Sequence, residues 1–359
     1  VEVCADGVDQ DCNGLPDDGT DQDGDGFARC GGDCCDSPFD CATPALVGPA
    51  AFDIPDNGLD DDCDPAFDSA NATCDANLPS PAGALEAARA LDLCIDALPA
   101  SGLFGLISAR FARSDGTGLP AAGATAALSA FGPNNVPTMG WSMAALSTGL
   151  AASSAGARDT DHGLSAPVPA DWLAANGGGI PVPPGSTPIM NPTAHDPVML
   201  ELQLRAPVNA NSFSLMLDFF TRDYPAATGS SFVDQLVVLL DSAAPGNPAD
   251  GNLAVVSHGG GTWSINANLA VVGGPGGLTR CTNSGVYSGC SAGTAGLAGT
   301  GFEGGAATGW REVRGNVLPG EVFTLRIAIW DGGDARSDSL VLLDRFRWSD
   351  APVTVATPP

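Results

Sequence analysis

The chain has 359 residues and a formal net charge of −28, with 14 basic side chains, all Arg, and an uneven distribution of acid: residues 1–75 carry 20 carboxylates against Arg29 alone. A field of that sign repels nucleic acid and anionic membrane surfaces, so neither is an expected partner. Eleven cysteines, nine of them before residue 95, read as disulfides formed in an oxidising compartment, and no apolar run reaches the length of a membrane span.

The first stretch with chemistry is acidic. Asp9, Asp11, Asn13 and Gly14 form a D-x-D-x-N-G loop, which Asp21 is placed to close. Asp21, Asp23, Asp25 and Gly26 repeat the spacing in D-Q-D-G-D-G-F, with Asp33 and Asp36 following. Alternate carboxylates before a turn glycine wrap side-chain oxygens around a hard cation at about 2.3–2.6 Å, and the next carbonyl, that of Phe27, adds a ligand. An EF-hand closes with Glu at its twelfth position; Gly32 stands there, so the pattern predicts calcium without an EF-hand. On this reading the two loops share Asp21. A third copy, Asp60, Asp62 and Asp64, has Pro65 in place of the turn glycine. A solvated acidic linker is the competing reading; it requires neither the fixed spacing nor the interleaved cysteines. Zinc is disfavoured because no second C-x-x-C pair follows the first and the histidines lie far away.

Short bridges are expected between Cys4 and Cys12, Cys74 and Cys94, and Cys281 and Cys290, with pairing open among Cys30, Cys34, Cys35, Cys41 and Cys63. The odd total suggests a bridge from that cluster to a neighbouring chain. Residues 1–74 hold too few large apolar side chains for a core, so metal and disulfides must order them. After Cys74, Ser80 and Pro81 open a helix whose face is Leu85, Ala88, Leu91, Ile95 and Leu98, ended by Pro99. From Leu103 to Phe111 the period becomes two and a strand is expected.

Clearer strands follow. Val198, Leu200, Leu202 and Leu204 alternate with outward Met199, Glu201, Gln203 and Arg205; Phe213 to Phe219 and Phe323 to Ile329 alternate likewise. Leu236–Leu240, Leu253–Val256 and Leu340–Leu343 are uniformly apolar, as central strands covered on both faces are. Long loops are expected at 157–191, Pro-rich, and 273–309, Gly-rich. The expected fold is mainly β: an antiparallel, jelly-roll-like β-sandwich over 75–349 with one short helix, preceded by a small disulfide-rich calcium-binding module at 1–74 and followed by a Pro-containing tail at 350–359.

Two resemblances rest on these residues. V-C-A-D-G-V-D-Q-D-C-N-G, D-Q-D-G-D-G-F and G-G-D-C-C-D resemble the MopE-type Asp- and Cys-rich metal-binding repeat of secreted myxobacterial proteins. Cys35 is an insertion relative to its D-C-D-D, and Pro55 stands where a cysteine belongs. The label attached to that repeat mentions copper, which prefers imidazole or sulfur, and the segment has no His. Residues 75–349 resemble a choice-of-anchor L domain through A-L-D-L-C at Ala90, G-L-I-S-A-R-F at Gly105, F-T-R-D-Y-P-A-A-T-G-S-S-F-V-D at Phe220 and D-S-L-V-L-L-D-R-F-R-W at Asp338. That resemblance implies a secreted or surface-displayed sandwich and no established activity.

The functional expectation is a structural or adhesive protein of the cell surface, stabilised by calcium and disulfides. It associates with itself through sheet edges or the Val353–Ala356 tail, as in a filament, or with other surface components. The alternative is a carbohydrate-binding module whose platforms come from Trp141, Trp172, Trp263, Trp310, Trp330, Trp348, Tyr224 and Tyr287. No enzyme is expected: G-C-S-A-G around Ser291 lies in a glycine-rich loop rather than on a strand-to-helix elbow. Asp234, Asp331, Asp334, Asp338 and Asp344, at predicted strand ends, are read as caps of turns and sheet edges.

Overall fold

The structure, a computed structural model, describes residues 3–5, 7–10, 19–64, 66, 73–97, 102–152, 158–190, 192–258, 261–268 and 293–355. Its first strands are β1 (Gly105–Ala112), β2 (Thr125–Leu128), β3 (Met143–Ser147), β4 (Ser165–Pro167), β5 (Gly179–Ile180), β6 (Ile189–Met190), β7 (Thr193–Arg205) and β8 (Ser212–Thr221). The later ones are β9 (Gln235–Asp241), β10 (Val255–His258), β11 (Gly261–Asn266), β12 (Ala306–Ala307), β13 (Arg311–Asn316), β14 (Val322–Gly332) and β15 (Ser339–Ser349). Two short helices, α1 (Ala84–Arg89) and α2 (Ala170–Ala175), join them.

The strands form an antiparallel sandwich. One sheet runs β1-β7-β14-β9-β11-β10 with β4 on β7, and the other runs β12-β8-β15-β3-β2 with β13 on β8. Strands consecutive in the chain, β7 then β8 and β14 then β15, lie in opposite sheets, so their connections cross the core at the sandwich ends. The period-two residues fill the space between: Leu200, Leu202 and Leu204 meet Leu325 and Ile327 from one sheet and Phe213, Leu215, Leu217 and Phe219 from the other. Phe213 stacks on Phe346 and Phe323, with centroids 4.9 and 5.6 Å away.

A second apolar cluster covers the other face of the β8 sheet. Phe220, Leu340, Leu342, Met143 and Ala145 pack with Phe131, Leu297 and Phe302. This is why Leu340–Leu343 reads as uniformly apolar: alternate side chains enter different cores. Leu253–Val256 are all buried, as expected of a covered strand, although β10 is the last strand of its sheet among the described residues. Met199, expected to face out, is buried at 1 % exposure. Its strand face is shared with Ala328, its register partner, and with Trp330, against which Trp172 of α2 packs edge-on at 6.0 Å. The Pro-rich segment expected as a loop therefore contributes β4, α2, β5 and β6.

The helix expected from Ser80 to Pro99 is only the six residues of α1. The N–H groups of Ala90 and Leu93 return to Glu86 and Ala88, and Asp92 turns the chain at φ 64°. Of the expected face, Ala88 and Leu91 are buried, with Ala87 beside them, Leu85 and Ile95 are exposed, and Leu98 lies outside the described residues.

Four disulfides brace the N-terminal region: Cys4–Cys30, Cys34–Cys63, Cys35–Cys41 and Cys74–Cys94. The last is as expected. Cys4 pairs with Cys30 and not with Cys12, and the cluster from Cys30 to Cys63 is wholly paired, leaving no thiol there for a neighbouring chain. Cys12, Cys281 and Cys290 lie outside the described residues. The module docks on the sandwich where β7 turns into β8. Asn209 accepts the Phe52 N–H at 3.0 Å and donates to the Phe52 carbonyl at 2.8 Å, while Phe52 packs with Phe104 and Ala210. At the other end Val353, expected to be free for strand exchange, is held by Asn316, which accepts its N–H at 2.8 Å and donates to its carbonyl at 3.0 Å.

Candidate metal centre

The loop around Asp23 is built by its own carboxylates. Asp21 accepts the N–H of Gly24 at 2.7 Å and of Gly26 at 3.1 Å, Asp23 that of Asp25 at 3.1 Å, and Asp25 that of Phe27 at 2.8 Å. Gly24 and Gly26 take φ of 83° and 99°, the left-handed turn that places successive carboxylates on one side. Two later residues reach back: Asp36 accepts the Gln22 N–H at 2.7 Å, and Asp33 holds the Cys35 N–H at 2.8 Å. The bridges from Cys34 to Cys63 and from Cys35 to Cys41 brace this second segment.

Two triads result. One oxygen each from Asp21, Asp23 and Asp36, and one each from Asp23, Asp25 and Asp33, lie within 4.8 Å of one another. In Asp23, Asp25 and Asp33 one oxygen is spent on a backbone amide, while the Oδ2 of each is sealed from solvent and has no hydrogen-bond partner. Burial, then crowding by Asp25, Asp23 and Asp36, raises Asp33 to about 6, against the Cys35 N–H. Burial likewise raises Asp23 and Asp25. Arg29, the lone cation of residues 1–75, is committed to Asp40 at 2.6 Å. Buried carboxylates that face one another without donors are costly unless a cation sits among them.

Asp23 is common to these two triads; the sharing expected through Asp21 is with the loop of Asp9, Asp11 and Asn13, which lies largely outside the described residues. Asp9 is half-buried and belongs to neither triad; Asp11 and Asn13 lie outside the described residues. Phe27 gives its N–H to Asp25 and sets its ring against Gly102. The third copy divides. Asp62 and Asp64 converge with Asp53, while Asp60 accepts the Asp64 N–H at 3.0 Å and stays outside the group. Burial, then Asp53 and Asp64, raises Asp62 to about 6. Sequence reading missed Asp53 because it sought closing ligands downstream of each loop, as at Asp33; here the closing residue precedes it.

Of the acids at the sandwich strand ends, Asp234, Asp338 and Asp344 serve as caps, whereas Asp331 is fully buried with neither oxygen hydrogen-bonded. Asp234 accepts from Gly332 N at 3.1 Å and Ser339 Oγ at 2.5 Å, Asp338 from Thr160 N at 2.7 Å, and Asp344 from Thr138 Oγ1 at 2.7 Å; Asp334 is exposed. A separate cavity of about 260 Å³ lies beside β5 and β6, lined by His195, Thr193, Phe232, Met190 and Trp330 among others. Trp330 is buried there and its indole N–H has no acceptor. Of the other aromatic residues proposed as platforms, Trp172 is buried, Trp141 is 67 % exposed, and Tyr287 lies outside the described residues, as does Ser291. No helix among the described residues is long and apolar enough to cross a membrane.

No family model matches the chain, and no curated protein matches it. Among solved structures, TmCBM61 in complex with beta-1,4-galactotriose aligns with 68 % of this chain and 89 % of that one, at 9 % identity and a TM-score of 0.23. The structure thus defines a disulfide-bonded, antiparallel β-sandwich preceded by a disulfide-rich module, of the kind made in oxidising, extracellular compartments.

Proposed function

We propose that the chain is a secreted or cell-surface structural or adhesive protein whose N-terminal module is ordered by calcium. The observation that carries this is the pair of triads joined at Asp23, with buried oxygens of Asp23, Asp25 and Asp33 left without donors. Calcium takes about six to eight oxygens at hard, flexible sites, with backbone carbonyls and water completing what carboxylates begin. Zinc prefers nitrogen or sulfur, and the described cysteines around the triads are all in disulfides. The motifs that resemble the MopE-type repeat and the choice-of-anchor L domain support the same reading, as does the absence of a nucleophile constellation in the sequence. Equilibrium dialysis of the full chain against calcium tests it. Wild type is expected to retain calcium that Asp33→Ala loses in part, and a wild type that binds none overturns it.

A second reading, glycan binding, is favoured by the cavity at Trp330. An orphan indole donor, the polar His195 and Thr193, and a half-exposed Phe232 at the rim suit a neutral, hydroxylated ring. A glycan array read with wild type and Phe232→Ala distinguishes it: saccharide binding lost in the variant supports this reading, and no binding removes it.

A further inference from the structure

One short segment of the module touches both the metal centre and the sandwich. From Gly48 to Ile54 the chain is gripped at its two ends by Asp61, whose carbonyl accepts the Gly48 N–H at 2.8 Å and whose Oδ2 accepts the Ile54 N–H at 3.0 Å. The Ala51 N–H closes a turn on the Gly48 carbonyl at 2.8 Å, and Ala50, Ala51 and Phe52 are buried. Tied at both ends and across its turn, the segment shifts as a unit.

Its first residue lies against the triad of Asp23, Asp25 and Asp33. A Cβ added to Gly48 would stand 2.7 Å from Asp25 Oδ2 and 3.5 Å from Asp33 Oδ1. Gly48 is not among the residues in the left-handed region, so glycine is needed here for the close approach and not for the turn. Asp25 Oδ2 is also one of the oxygens without a hydrogen-bond donor, so the atom that a cation would draw in is the atom that Gly48 packs on. The other end of the segment is stitched to the sandwich. Ala50 accepts the Val208 N–H at 3.0 Å, Asn209 holds Phe52 through both its N–H and its carbonyl, and the Phe52 side chain packs with Phe104 and Ala210. Val208, Asn209 and Ala210 belong to the connection that carries the chain from β7 in one sheet to β8 in the other.

We propose that filling the site of Asp23, Asp25 and Asp33 and docking the module on the sandwich are one coupled event, transmitted by residues 48–54; this rests on the calcium reading above. A cation among the three carboxylates fixes Asp25 against Gly48 and so holds the segment where Ala50 and Phe52 reach the β7–β8 connection. Without the cation the three acids repel one another, Asp25 no longer defines the seat of Gly48, and the segment loses its position. Such coupling is reciprocal: whatever loosens Phe52 from the sandwich weakens calcium at Asp25 by the factor through which calcium tightens the docking.

Calcium titration calorimetry and hydrogen exchange of the full chain test this on wild type, Asn209→Ala and Gly48→Ala. Calcium should slow exchange at the Phe52 and Val208 amides of wild type. Asn209→Ala, which alters no carboxylate, should weaken the calcium step that Asp33→Ala removes by roughly five-fold or more. Gly48→Ala should weaken the same step and abolish the protection that calcium gives Phe52 and Val208, while the thermal transition of the sandwich persists. Wild-type calcium affinity in Asn209→Ala, or exchange at Phe52 and Val208 indifferent to calcium in a wild type that binds it, overturns the coupling and leaves the calcium site standing. A wild type that binds no calcium removes the site itself, and the coupling with it.

Discussion

The two parts of the chain solve the same problem with opposite materials. The sandwich packs its apolar side chains in clusters between and outside its sheets, whereas the module leaves Phe39 99 % exposed, buries few large apolar side chains, Val47 and Phe52 among them, and sets Asp33, Asp36, Asp53 and Asp61 in its interior. In the first, apolar burial holds the fold and acids are tolerated as caps. In the second, disulfides and the hydrogen bonds of carboxylates hold it, and under the proposed function those carboxylates need counter-ions. Each region should therefore fail under a different insult.

The largest expected effect is in the sandwich. Phe213→Ala removes a ring stacked on Phe346 and Phe323 and should cost about 3–5 kcal/mol. Phe39→Ala, in the module, should stay within about 0.5 kcal/mol; urea denaturation followed by tryptophan fluorescence reads both. Next comes the module's covalent frame. Replacing Cys34 and Cys63 by Ala opens a 29-residue separation and should cost about 2–5 kcal/mol, with calcium affinity falling because Asp33 and Asp36 lose their anchor. A module equally stable and equally calcium-competent without the bridge would show that the acidic loop orders itself.

Substitution within the triads sharpens the comparison further. Asp23→Ala should abolish two bound ions where Asp21→Ala and Asp25→Ala each abolish one, since only Asp23 belongs to both described triads. Calorimetric stoichiometry decides between this and sharing through Asp21, the arrangement the linear spacing suggests. The smallest effect is on pH. Burial raises Asp218 and Asp223 to about 7 in the folded chain from 3.8. Between those values the folded state holds more protons than the unfolded one, so the sandwich should lose stability as pH rises from about 4 to about 7. Asp218→Asn should flatten that slope in thermal melts, and an unchanged slope would place the titration elsewhere.

What the sequence conveyed follows the same division. Period-two alternation revealed β7, β8 and β14 because over Leu200–Leu204, Phe213–Leu217 and Phe323–Ile327 every second side chain is buried in one core. It misread Met199, whose outer face is covered by α2 from far along the chain, and it overextended α1, because Leu85, Leu91 and Ile95 keep a helical spacing that the turn at Asp92 interrupts. In the module, the carboxylates of Asp21, Asp23 and Asp25 were legible because a loop ligating a cation is local. Asp53, and the bridge from Cys4 to Cys30, were not: both depend on how distant segments are brought together, and spacing along the chain carries no information about that.

Whether calcium orders the module is measured most directly by limited proteolysis with and without chelator, paired with elemental analysis of the purified chain. Chelation should expose new cleavage sites before residue 75 while a protected fragment carrying the sandwich persists, and re-added calcium should restore protection. Digestion unchanged by chelator, in a protein that retains no calcium, would contradict it.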